Sequence, residues 1–381
     1  MQIVLRRKAL IVLAVSFLWS GLPSHVAAAA TKNVAPVVTE KASDWLLSPE
    51  LLEHARLKTV WQQTLPVKPG EEFDSITLLG DRLYFRSDRN YMWSLDAVKG
   101  DVVFSRSVAH ESVPVLGLVS HGDRIISVIG NQLIECSNIT GSEQRVADLE
   151  LSIVAPPVRN EQFFYIAAAD RRLHALRAHD LVQIFKVAPE DDSLITTVVA
   201  GDDLVVFGTS EGDIVAIMAD APKRLWQFKV PEAVAGSIVR DGNSFYFACK
   251  DTNVYRIDMT ETKKAGMAWK FQTEAVLDRS PRVTDGFVYQ YAPGRGLTAI
   301  NKQAGRAAWS LPEGLDLLAE SDGKAYVITK VRTLAVMDNA TGERLYSVNC
   351  ASVIGHVSNT ENARMYIVDG RGRVACLEPT R

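Results

Sequence analysis

The chain has 381 residues, 47% hydrophobic and 23% charged, with 24 glycines, 15 prolines and a formal net charge of −3. That balance excludes a disordered, collagen-like or strongly basic nucleic-acid-binding chain. Cys136, Cys249, Cys350 and Cys376 form no C-x-x-C pair and lie far apart, which excludes a close-spaced disulfide framework or a cysteine-built zinc site, so buried free thiols are expected.

At the start of the chain, Arg6, Arg7 and Lys8 precede an apolar run from Ala9 to Leu18, and Ala27 to Ala30 offers A-x-A cleavage sites. This pattern predicts a secretory signal peptide over residues 1–30, because the run is shorter than the ~20 residues a spanning helix needs. The Arg6-Arg7 pair lacks the preceding Ser or Thr and the bulky follower of a twin-arginine signal, which favours the general secretory route. Removing three positive charges takes the formal balance from −3 to −6. No cysteine stands at the expected cleavage site, as a lipoprotein would require.

Residues 31–56 read as a leader ending in a short helix, with Ser48 as N-cap, Pro49 in the first turn, and Trp45, Leu46 and Leu51 as the side chains that pack it down. A strand follows from Leu57 to Leu65, carrying Trp61. From there a unit of four short strands recurs eight times at a spacing of about 40 residues. The first unit runs SITLL, turn Gly80-Asp81, RLYFR, turn Asp88-Arg89-Asn90, MWSLD, turn Val98-Lys99-Gly100-Asp101, VVFSRS. The breaks hold Gly, Asp and Asn, which accept the backbone conformations that tight hairpins need.

Three series keep phase. Second strands centre on Tyr84, Ile126, Tyr165, Val206, Tyr246, Tyr289, Tyr326 and Tyr366. Third strands follow at Ser94, Cys136, Ala175, Ala216, Arg256, Ala299, Val336 and Cys376. Large apolar residues close most units: Phe104, Phe185, Trp226, Trp309 and Tyr346, with Val146 smaller and Trp269 displaced by an insertion around Lys263 and Lys264. Such a repeat predicts an all-β fold, an eight-bladed β-propeller of four-stranded antiparallel blades over residues 57–381. The last unit stops at its third strand, so the strand from Leu57 is expected to close the ring as its fourth, leaving no exposed edge.

The strings SLDAVKGDVVF, AINKQAGRAAW and VMDNATGERLY resemble the PQQ-like β-propeller repeat. The resemblance implies that the turn glycine receives the closing Trp of a neighbouring blade. Size, blade count and the final DGRGRVACLEPTR are similar to the BamB-type propellers of outer-membrane assembly, without their lipidation cysteine. That similarity implies a scaffold role and carries over no residues.

Catalysis is not expected. No cysteines are adjacent, no local acid cluster offers the six to eight oxygens calcium prefers, and no cofactor is called for. His110, His121, His174, His179 and His356 lack metal-ligand spacing and read as scattered exposed side chains. Sorting turns by face gives a different lead. Every first-to-second-strand turn holds an acid: Asp81, Asp123, Glu161, Asp202 with Asp203, Asp241, Asp285, Asp322 or Glu361. Most second-to-third-strand turns hold a base: Arg89, Arg171, Arg172, Lys250, Arg295, Arg332, Arg371 and Arg373. Ordinary turn chemistry accounts for much of this, but a ring with one basic face would meet an acidic partner there.

The expectation is therefore an exported, periplasmic or extracellular platform for a protein partner in the cell envelope, as a monomer or a subunit of a larger complex. The rival is a quinone-dependent oxidoreductase or sugar-binding subunit that uses the central channel.

Overall fold

The computed structural model describes residues 44–380, so the expected signal peptide and the first part of the leader lie outside the described residues. Among the described residues, thirty-two strands pair into eight four-stranded antiparallel sheets, each consecutive in sequence except the last. Blade 1, for example, is Phe73–Leu79, Arg82–Ser87, Tyr91–Asp96 and Val102–Ser107. In blade 8, Leu57–Thr64 pairs with Arg373–Pro379, setting Trp61 opposite Cys376, and the ring closes as the sequence predicts.

Residue patterns explain the layering. Middle strands are covered on both sides by neighbouring blades and read as unbroken apolar runs: every residue of Leu204–Thr209 is buried. Outer strands meet solvent and alternate, as in Arg224–Lys229, where Trp226 is buried between exposed Arg224 and Gln227. The core is accordingly divided into layers between blades. One such layer joins Val206, Ala216 and Trp226 to Phe245, Phe247 and Cys249.

A latch repeats at these layers. The Trp61 ring lies on Gly100 of the next blade so closely that a Cβ there would sit 2.5 Å from it, and Trp61 Nε1 donates to Ala97 O at 3.2 Å. Phe104 covers Gly141, Trp269 covers Gly305 and Trp309 covers Gly342 in the same way. Gly100 has φ of +83°, so its turn conformation as well as its lack of side chain calls for glycine. Two of the second-strand tyrosines add a second bond: Tyr165 donates to Ala219 O at 2.6 Å and Tyr366 to Ala97 O at 3.1 Å.

Blade 2 departs from the phase read in the sequence. Its second turn, Gly130-Asn131, is one residue shorter than Asp88-Arg89-Asn90 of blade 1, so Ile126 pairs with Glu135 and Glu135 with Arg145. Glu135 and Arg145, not Cys136 and Val146, hold the places that Ser94 and Phe104 hold in blade 1.

The helix Pro49–His54 forms with Ser48 Oγ accepting from Leu51 N at 3.3 Å. Leu46, Leu47, Leu52 and Ala55 pack on Val348, Cys350 and Val353 at the outer edge of blades 7 and 8. The Gln62 side chain holds the segment, accepting from Leu46 N at 2.7 Å and donating to Asp44 O at 2.9 Å. Two expected packing residues are corrected: Trp45 is 46% and Leu51 45% exposed. Once Leu52 faces the ring, Leu51 is turned about 100° away along the helix.

All four thiols are free, as expected. Burial pushes Cys249 and Cys376 up to about 12 and Cys350 to about 11.

Candidate functional site

Antiparallel order places the first-to-second and third-to-fourth turns on one face of the ring, and the second-to-third turns with the blade-to-blade connections on the other. Hydrogen bonds join the turns accordingly. Ala97 N donates to Asp81 O on the first face at 2.9 Å, and Asn90 Nδ2 donates to His110 O on the second at 2.8 Å.

The second face carries the predicted basic residues, but half of them meet carboxylates of that same face or of their own strand pair. Arg171 lies 3.0 Å from Asp192, Arg172 3.7 Å from Asp170, Arg295 3.0 Å from Glu274 and Arg373 2.7 Å from Asp369. Arg373 also donates to Trp45 O at 2.9 Å, tying the helical arm to blade 8. Arg89 donates to Gly70 O at 3.3 Å and Arg332 to Ala351 O at 3.1 Å, while Lys250 and Arg371 are exposed. Exposed Val154, Val276 and Val331 share this face. Acids of the first face are matched by local bases in turn, as in the two Asp203–Arg240 contacts of 2.8 and 3.0 Å.

Inner strands surround a central channel with a cavity of about 600 Å³. Its wall is mixed, with Thr77, Thr196, Thr197, Ser237 and Ser280 set among Leu118, Val119, Val158, Val198 and Val234. Arg279 rests 4.2 Å over the Tyr291 ring. A buried charge pair flanks this channel. Arg282 donates to both oxygens of Asp316, Nε at 3.0 Å and Nη2 at 2.8 Å, and His356 Nε2 stands 3.4 Å from the same carboxylate.

Burial alone would raise the Asp316 carboxyl. The Arg282 charge, with hydrogen bonds from His356 and Arg282, instead holds it well below the usual carboxylate range. This trio links the inner strands of blades 6, 7 and 8, and sequence reading missed it. A signal was present, because Arg282, Asp316 and His356 are 34 and 40 residues apart, close to one repeat.

His174 and His356 correct the picture of scattered exposed histidines. His174 is 3% exposed, held by Asp170 at 3.0 Å and Gln183 at 2.6 Å. It sits on a middle strand that neighbouring blades cover, which is why a polar ring there needs two partners. Among the described residues, no three His, Cys, Asp or Glu side chains are placed to share a metal ion. No described helix is long and apolar enough to cross a membrane.

A family profile described as outer membrane protein assembly factor BamB matches residues 114–309. No curated protein matches the chain by sequence. Among solved structures, BamB from Moraxella catarrhalis is similar at a TM-score of 0.64 and 16% identity, covering 84% of this chain and 97% of that one. The computationally designed Ika8 protein is similar at 0.62 and 14%, covering 80% and 95%. The Cps50 (Swd1) propeller domain of Myceliophteria thermophila follows at 0.52 and 12%, covering 84% and 99%. At such identities these neighbours speak for the fold, across bacterial, designed and fungal chains.

Proposed function

Because the chain belongs to the BamB family of outer-membrane assembly factors, within the PQQ-like propellers, we propose that it is a non-catalytic protein-interaction platform of the cell envelope, acting in outer-membrane protein assembly. In this reading residues 1–30 are a cleaved signal peptide, residues 31–56 an arm, and residues 57–381 the rigid ring. Family membership is the observation that carries it. The geometry supports it through a stiff scaffold whose turns vary without disturbing the blades.

The docking face in this reading is the one that bears the blade-to-blade connections. Of the eight basic turn residues, Arg89, Lys250, Arg332 and Arg371 meet no carboxylate among the described residues, and Val154, Val276 and Val331 supply exposed apolar area. An acidic partner with an apolar contact fits this combination, since charge steers the encounter and buried apolar side chains hold it.

The test places a photo-crosslinking residue at Val331 and, on the opposite face, at Val98 in cells. Crosslinks from position 331 to an outer-membrane assembly component, with none from 98, are the expected result. The reverse pattern overturns the choice of face, and silence at both positions overturns the platform. The rival quinone enzyme is tested on purified protein with added PQQ and calcium. Dye reduction there would favour the channel reading.

A further inference from the structure

We propose that the cleft between blades 2 and 3, on the face of the first-to-second-strand turns, is a binding site for a small oxyanion, a phosphate or carboxylate group. At the closing position of the fourth strand, seven blades carry an aromatic residue: Trp61, Phe104, Phe185, Trp226, Trp269, Trp309 and Tyr346. Blade 2 carries Arg145. Its Nη1 donates to Ala178 O at 2.6 Å, the bond that Trp61 Nε1 makes to Ala97 O at the corresponding junction.

The receiving turn has changed with it. Leu181 donates to Arg177 O as Gly100 donates to Asp96 O, and it holds φ of +61° where Gly100, Gly141, Gly305 and Gly342 stand under aromatic rings in four other blades. With no aromatic ring lying on that turn, a side chain is tolerated, and Leu181 packs back into the layer between blades 2 and 3. Ile126 stands where most blades place a tyrosine, and it cannot make the carbonyl bond that Tyr165 and Tyr366 make. Three departures at one junction leave a cleft of about 840 Å³.

Its floor is cationic. Arg124, Arg145 and Arg159 converge on Glu135 at 3.0, 3.2 and 3.3 Å, and that carboxylate is 0% exposed. One buried acid is therefore shared by three guanidinium groups, and with Arg124 also facing the exposed Asp123 the cluster keeps an excess of one positive charge in a partly desolvated site. Each guanidinium has five N–H groups in a planar fork, more than these contacts use. All three line the cleft, Arg159 also lying 4.9 Å over the Phe164 ring.

Acids also stand at the mouth. Asp180 is held by Arg177 at 2.6 Å, with His179 3.4 Å away, Glu161 is 3.6 Å from His121, and Asp123 is 3.9 Å from Arg124. Asp123 and Glu161 have highly exposed side chains. A cationic floor beneath a ring of carboxylates admits a single small oxyanion and repels a polyanion, which sets the size class of the ligand.

The experiment titrates the intact protein with sodium phosphate, and separately with sodium succinate, at constant ionic strength, reading heat of binding and melting temperature. Saturable one-site binding of either anion is the expected result, and the stronger of the two assigns the chemistry. Arg124→Gln, the most exposed of the three, should weaken binding about tenfold, as loss of one charge-assisted contact implies. Arg89→Gln on the opposite face should leave it unchanged.

A second variant rebuilds the aromatic latch. Arg145→Trp with Leu181→Gly, keeping Glu135 as the counterion of Arg124 and Arg159, should abolish binding by filling the cleft and removing a guanidinium, with the protein still folded by its urea transition. A response to both anions no greater than to chloride overturns the site, as does binding that survives both the Arg124 and the latch variants.

Discussion

Between blades 6 and 7, Trp309 lies on Gly342, donates to Asn339 Oδ1 at 3.0 Å, and is 6% exposed. Between blades 2 and 3, the same position sends a guanidinium across a buried Glu135 to Ala178. The aromatic junction draws on apolar burial, about 25 cal/mol per Å² over the ~200 Å² of a large ring, and is indifferent to salt. The polar junction removes four charged groups partly from water, and that desolvation roughly cancels their attraction. The comparison teaches that a repeat can keep its geometry while exchanging a stabilising contact for a chemically specific one.

Truncation separates the two junctions most strongly. Trp309→Ala should cost about 3–5 kcal/mol through lost burial and a cavity, read as a fall in urea midpoint that added salt does not alter. Glu135→Ala should cost about 3 kcal/mol because three guanidinium groups lose their shared counterion, and added salt should recover part of the loss. Equal salt response in the two variants would erase the distinction.

Gly100→Ala comes next, at about 2 kcal/mol, since a methyl group at positive φ would press on the Trp61 ring. Leu181→Gly at the corresponding place in blade 3 should change stability by less than about 1 kcal/mol, because no ring lies over it.

Acidification probes a third kind of junction, the Arg282–Asp316–His356 trio. Asp316 is held below its ordinary value, and so are Asp96, Asp170 and Asp203. A carboxyl whose folded value is depressed stabilises the fold above its unfolded value near about 3.9, and that contribution is lost as pH falls through the folded value. Stability should therefore rise from about pH 2 to about pH 5 and then level off. Asp316→Asn should flatten this slope in urea titrations. The smallest effect belongs to Arg171→Glu, below about 0.5 kcal/mol, because Arg171 and Asp192 form an exposed pair.

Strand count, blade count and ring closure were legible because each unit must bury two faces, which forces the same apolar phase on every repeat. The latch was legible where Trp and Gly both persist, as in Trp61 with Gly100. Blade 2 misled because one residue fewer in its second turn shifts everything after it, so Val146 was read in place of Arg145. Turn length leaves no apolar signal of its own, whereas register is fixed by backbone pairing. Burial of His174 was hidden for a related reason, since its partners Asp170 and Gln183 lie on a turn and a neighbouring strand. The sign of the two faces was read correctly as positions and incompletely as charge, because Asp192 and Glu274 sit in connections that carry no repeat phase.

Closure by Leu57–Thr64 has a consequence for biosynthesis. The first described strand is joined to the last, Leu57 standing opposite Pro379, so blade 8 cannot form until residues about 320 positions further on have been synthesised. Until then an unpaired strand and the sides of blades 1 and 7 stay open to foreign strands, and a nascent chain stalled in its final repeat is a ready seed for aggregation. A circular permutant opened between blades 3 and 4, with the present ends joined, would make blade 8 from contiguous residues and shorten that interval.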